Sequence, residues 1–118
     1  MPIYWVNEGF LKEGKVGEYR KWITSTKTKA LFARATKETG VKFVGTFFTV
    51  LGFGDHEVEE WWELPNYAAF DKFRDSKTFD AIGQEAYGFF SSTMMGRARL
   101  LRSADDVKIM EPPKKKEQ

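Results

Sequence analysis

The chain reads as an α+β domain in which four antiparallel strands carry helices on one face, and three observations point there. Hydrophobic patterns follow one another in the order strand, helix, strand, strand, helix, strand. A glycine-containing turn joins the two middle strands closely enough to make them a hairpin, and so antiparallel neighbours. The length of 118 residues admits one domain. Together these are the split βαβ arrangement of the ferredoxin-like class.

The first strand is expected over residues 3–11, an aromatic and β-branched run that ends near Gly14. A long helix follows, with Val16, Tyr19, Ile23, Ala30 and Leu31 at helical spacing and Gly40 as its stop. The threonine-rich stretch TSTKTK is where that helix can break, because these side chains compete for backbone hydrogen bonds. The second strand is expected over 41–51, the turn at GFGD, and the third strand over 56–64. Pro65 and Asn66 open a helix carrying Tyr67, Phe70 and Phe73, and Ser76 offers a fresh N-cap. Beyond it Phe79, Ile82, Ala86, Phe89, Phe90 and Thr93 recur at three and four, an amphipathic stripe. The last strand is expected over 94–102.

The domain is expected to span residues 1–104, with 105–118 a lysine-rich tail that is flexible at its end. The end of that tail, EPPKKKEQ, holds three lysines against two glutamates and so half of the formal net charge of +2, leaving a near-neutral body with no electrostatic footprint for nucleic acid. The stretch LGFGDH echoes the stacking motif of RNA-recognition domains, but Leu51 and Asp55 replace the basic and apolar positions of that motif. With no cysteine, disulfides, thiolate nucleophiles and cysteine-based metal sites are excluded, and a single histidine argues against other metal centres; neither a metal nor a cofactor is expected. No apolar run is long enough to span a bilayer and the N-terminus lacks the pattern of a signal peptide, so a cytoplasmic protein without membrane attachment is expected.

The strands do not alternate cleanly between apolar and polar residues. Ile3 and Trp5 oppose Tyr4 and Val6; Val41, Phe43 and Phe47 are placed opposite Val44, Phe48 and Val50; Val58, Trp62 and Leu64 oppose Trp61. Both faces of the sheet therefore call for burial. Helices can cover one, and a second copy of the sheet would cover the other, closing a dimeric α+β barrel.

The stretches EGKVGEYRKW, TGVKFVGTFF and EVEEWWELPNYAAFDKFRDSKTFDAI resemble the NIPSNAP-like branch of the dimeric α+β barrel superfamily over residues 3–102. The shared patterns, EGK..EY..W and W.L.NYAAF, mostly encode turns, caps and core. The resemblance implies a homodimeric barrel with a small-ligand or small-protein role and no defined family reaction. The superfamily also holds cofactor-free monooxygenases and heme-degrading enzymes, whose helical histidines this sequence replaces, so none of their catalytic residues carries over.

Candidate chemistry concentrates in GFGDHEVEEWWEL. Neighbouring strand residues point to opposite faces, which separates His56 from Asp55 and Glu57, while His56 and Glu60 share a face about 13 Å apart. The bland reading of His56 is a hairpin-end residue bonded locally. His56, Glu60 and Glu59 remain the candidates for catalysis, with a glutamate desolvated beside aromatics as proton acceptor for an acidic organic compound. Against this stands an ion-pair network in which Glu57, Glu59 and Glu63 meet Arg97 and Arg99. Trp5, Tyr19, Trp22, Trp62 and Tyr87 are the candidate walls of an apolar ligand pocket between sheet and helices, or else ordinary core. Two functions follow: a protein binding a small apolar or aromatic molecule, in monooxygenase-like or proton-transfer chemistry, or a non-enzymatic homodimeric module with a filled barrel.

Overall fold

The structure, a computed structural model, describes residues 2–50, 57–91 and 97–105. Its elements run β1 (Ile3–Gly9), α1 (Val16–Ile23), α2 (Thr26–Thr39), β2 (Lys42–Phe48), β3 (Val58–Leu64), α3 (Tyr67–Arg74), α4 (Lys77–Tyr87) and β4 (Arg97–Arg102). The strands form one antiparallel sheet in the order β2-β3-β1-β4, the ferredoxin-like arrangement expected from the sequence. The turn with His56, the start of the last strand and the chain beyond Asp105 lie outside the described residues.

Local chemistry sets the helix boundaries. The long first helix does break at its threonine-rich stretch: the Thr24 hydroxyl donates back to the Arg20 carbonyl at 2.7 Å, and Ser25 then caps α2 by accepting from the Thr28 N–H at 3.1 Å. Gly40, at φ 82°, closes α2 in the left-handed conformation that glycine adopts without penalty. Asn66 accepts from the Ala69 N–H at 2.9 Å and Ser76 from the Phe79 N–H at 3.1 Å, capping α3 and α4. The stripe that begins at Phe79 stays helical only to Tyr87. Phe89 and Phe90 follow the helix as a turn, because Phe90 bridges to Leu11 and the Lys12 N–H donates to the Phe89 carbonyl at 2.8 Å. The aromatic spacing is that of a helix, but the partner is a strand end.

The face occupancy of β1 and β3 follows the sequence; that of β2 does not. Pairing with β3 shifts by one residue between Phe43 and Gly45, a β-bulge that leaves Val44 as the extra residue. Val41 and Phe43 face the helices as expected, but beyond the bulge the alternation inverts. Phe48 turns inward onto Tyr19, and Phe47 turns outward onto Trp61, half exposed. Strict two-residue alternation places both on the wrong sides, since a bulge leaves no plain mark in the sequence.

The core lies between the sheet and the helices. Trp62 is its centre, with ring centroids 4.9 Å from Phe32, 4.9 Å from Phe43 and 5.0 Å from Phe73. Ile3, Tyr19, Val41, Val58, Leu64 and Phe73 around it are fully buried. Burial of each large apolar side chain stabilises by about 1.5–3 kcal/mol. A polar strut joins α2 to α4, where the Thr78 hydroxyl donates to Glu38 Oε1 at 2.6 Å.

Gly83 lies inside α4, exposed, with open space where a Cβ would stand. Gly83→Ala is therefore expected to stabilise the protein by about 0.5–1 kcal/mol through helix propensity and reduced unfolded-state freedom. Thermal melting should show a rise of roughly 4 °C; a fall would mean that the surface of α4 at this position is occupied.

Candidate functional site

Strand register builds a polar row across the helix-facing side of an otherwise apolar sheet. Asn7 on β1 pairs with Glu60 on β3, and Glu60 pairs with Thr46 on β2. Glu60 shares its face with Val58, Trp62 and Leu64, so its carboxylate is carried into the core. A buried carboxylate without donors would cost several kcal/mol. Two donors are supplied: the Tyr19 hydroxyl, from α1, donates to Glu60 Oε2, and the Asn7 side-chain amide donates from the neighbouring strand. With its proton turned to Glu60, the Tyr19 oxygen accepts from the Thr46 hydroxyl across 3.4 Å, a long contact.

Burial holds both titrating groups above their usual ranges. The Glu60 carboxyl is raised because desolvation penalises its charged form, an effect that the hydrogen bonds from Tyr19 and Asn7 oppose without cancelling. The Tyr19 hydroxyl is raised first by burial, then by the negative charge of Glu60 and by the hydrogen bond to it. Tyr19 is thus a fixed proton donor, and Glu60 is the group whose charge can change.

Glu60 and Asn7 look into a cavity of about 60 Å³ between the sheet and α4. Trp5, Trp62, Phe79 and Phe90 form its aromatic walls. Of the pocket residues expected from sequence, Trp5 and Trp62 line this cavity and Tyr19 stands behind Glu60. Trp22 lies farther out, donating from Nε1 to Glu85 Oε1 at 3.0 Å and packed on Tyr19. Tyr87 is 55% exposed on α4 and does not line the cavity. Asn7 went unremarked in the sequence, although it continues the inward alternation of Ile3 and Trp5 and is the polar exception on that face.

The other candidate acids serve elsewhere. Glu57 accepts the Leu11 N–H at 2.9 Å and so fastens the chain beyond β1. Glu59 lies on the open face, where it accepts from Trp61 Nε1 at 2.7 Å and from Arg99 Nη2 at 3.3 Å. Arg99 also meets Glu8 at 2.7 Å, so Glu59–Arg99 is the member of the expected acid-to-arginine network that the structure shows, joined by a carboxylate from β1. Beside this lattice Tyr4, Val44, Phe47 and Trp61 line an apolar cleft of about 580 Å³. Among the described residues no cluster of acids or histidine is arranged to hold a metal ion, and no helix is long and apolar enough to cross a membrane.

No protein-family model and no curated protein matches the chain. Solved structures do. A NIPSNAP family protein from Agrobacterium tumefaciens superimposes with a TM-score of 0.60 over 93% of this chain and 100% of its own, at 17% identity. The fold is that of NIPSNAP family proteins. A second NIPSNAP-like domain protein, from Burkholderia xenovorans, matches with a TM-score of 0.64 at 12% identity over 94% of this chain and 92% of its own. HapK from Hahella chejuensis also matches, with a TM-score of 0.64 at 11% identity over 94% of this chain and 100% of its own. At these identities the likeness concerns the backbone, and any site chemistry must come from residues of this chain.

The raised Glu60 carboxyl fixes the sign of a pH effect. An acid whose folded-state value lies above its unfolded value, here the usual 4.5 of a glutamate, keeps its proton longer when folded. Its contribution is most favourable below the unfolded value and is lost as pH rises through the folded one. Glu60→Gln, which cannot ionise, should therefore flatten the decline in stability as pH rises above the unfolded value of 4.5. Urea unfolding of both proteins as pH is raised above that value checks this; parallel curves would show that Glu60 does not titrate on folding.

Proposed function

We propose that the protein is a cytoplasmic homodimer that binds a small apolar or aromatic molecule, with Glu60 as the group that accepts or returns a proton. The observation that supports this reading is the raised, doubly hydrogen-bonded Glu60 carboxylate facing a cavity with aromatic walls. Abstracting an acidic C–H or O–H proton needs a base of higher proton affinity than an ordinary carboxylate has, and desolvation raises a carboxylate toward that role. Asn7 would keep the carboxylate oriented, while Tyr19 donates to the charged form and stabilises it. At roughly 30 Å³ per heavy atom in a liquid, the cavity takes about two, which is the reacting end of a compound. The exposed Gly83 in its wall marks the side on which the remainder would lie.

Dimer formation is inferred from the open face. Tyr4, Val44, Phe47 and Trp61 give that face an apolar strip which, among the described residues, no helix reaches, and a second sheet packed on it would remove the strip from water. Sedimentation at micromolar concentration should then give twice the chain mass of 13.7 kDa, and Trp61→Glu should return a folded monomer. A wild-type monomer would overturn the dimer.

The small volume of the cavity favours a second reading, a non-enzymatic homodimeric module whose interior is filled by side chains. Native mass spectrometry of the purified protein separates the two. Binding predicts a retained small molecule that is lost in Ala86→Val, which adds two methyl-sized atoms at the cavity wall. Dimers that carry nothing in either protein would support the module.

A further inference from the structure

We propose that the cleft between α1, α2 and β2 is a binding site for a small carboxylate carried on an apolar body. The cleft holds about 280 Å³ and shares no lining residue with the Glu60 cavity, from which Phe43, Phe48 and the Thr46–Tyr19 contact separate it. It therefore does not depend on Glu60 being a catalytic group. Ile23, Phe43 and Phe48 supply its apolar surface, and Arg20 and Lys29 supply two cations at its rim. No acidic side chain lines it, and among the described residues neither cation is engaged in an ion pair.

That combination selects its ligand by charge and by size. Arginine and lysine placed together beside a low-dielectric wall attract an anion, and the guanidinium fork suits the two oxygens of a carboxylate. The apolar surface rewards a hydrocarbon body over a free inorganic ion. At roughly 30 Å³ per heavy atom, the cleft accommodates about nine, the size of a medium-chain fatty acid or an aromatic acid. The carboxylate would sit at the Arg20 and Lys29 rim with its body against Phe43 and Phe48. Because the rim is exposed, binding should weaken as salt is added.

Titration of the isotope-labelled full chain with octanoate, followed through backbone amide shifts, tests the site. Saturable shifts are expected at Ile23, Thr24, Thr46 and Phe48, with 1-octanol binding at least tenfold more weakly. In the double variant Arg20→Gln/Lys29→Gln the octanoate affinity should fall at least tenfold. Both residues are exposed, so an unchanged melting temperature is expected and certifies the fold of the variant. Absence of saturable shifts at these amides, equal affinity for octanol, or full affinity in the folded double variant would each overturn the proposal.

Discussion

Placing the Glu60 carboxylate in an aromatic core is the step on which the rest of this structure depends. The group must find its donors inside the protein, and they come from two separate elements, β1 through Asn7 and α1 through Tyr19. The helix can reach it only if α1 lies across the sheet with its tyrosine fully buried. The strand can reach it only in one register. A one-residue slip of β1 would replace Asn7 by Val6 or Glu8 on the opposite face and leave the carboxylate short of a donor. One polar demand therefore restricts both the sheet pairing and the helix docking, where apolar contacts alone would tolerate alternatives.

The two faces of the sheet solve different problems with the same residue types. Inside, a glutamate is desolvated, and its proton affinity is raised by burial. Outside, Glu8 and Glu59 share Arg99, where cation and solvent keep charge inexpensive. Val6, between these groups in the register, is fully buried although among the described residues no helix covers its side of the sheet. The polar lattice and the Trp61 ring thus give part of the open face an interior of its own.

Element order, hairpin pairing, caps and the helix break were legible because each rests on chemistry within a few residues. Asn66 and Ser76 are capping side chains at the starts of apolar runs, and the threonines after Ile23 compete with helix bonding; neither needs tertiary context. The inward aim of Glu60 was legible too, since it alternates with Val58, Trp62 and Leu64. Its partners were not: Asn7 lies 53 positions away in sequence and Tyr19 lies 41. Only the register and the helix docking bring them together. The aromatic pair after α4 misled for a related reason, because spacing of three and four describes any chain that returns to the same core.

The Val44 bulge turns strand parity into something a single residue can reverse. From Gly45 onward the inward positions, including Thr46 in the polar row and Phe48 against Tyr19, depend on that one extra residue. Drawing Val44 into the ladder as an ordinary paired residue would move Thr46 and Phe48 to the open face and bring Phe47 inside, whereas deleting it would leave all three where they are. The same sequence thereby admits two sheet surfaces that differ only in whether one residue is paired. Loss of the bulge with the residue retained, rather than a change of length, is the evolutionary step by which a relative could exchange its inner polar row for an outer one while keeping the same backbone architecture.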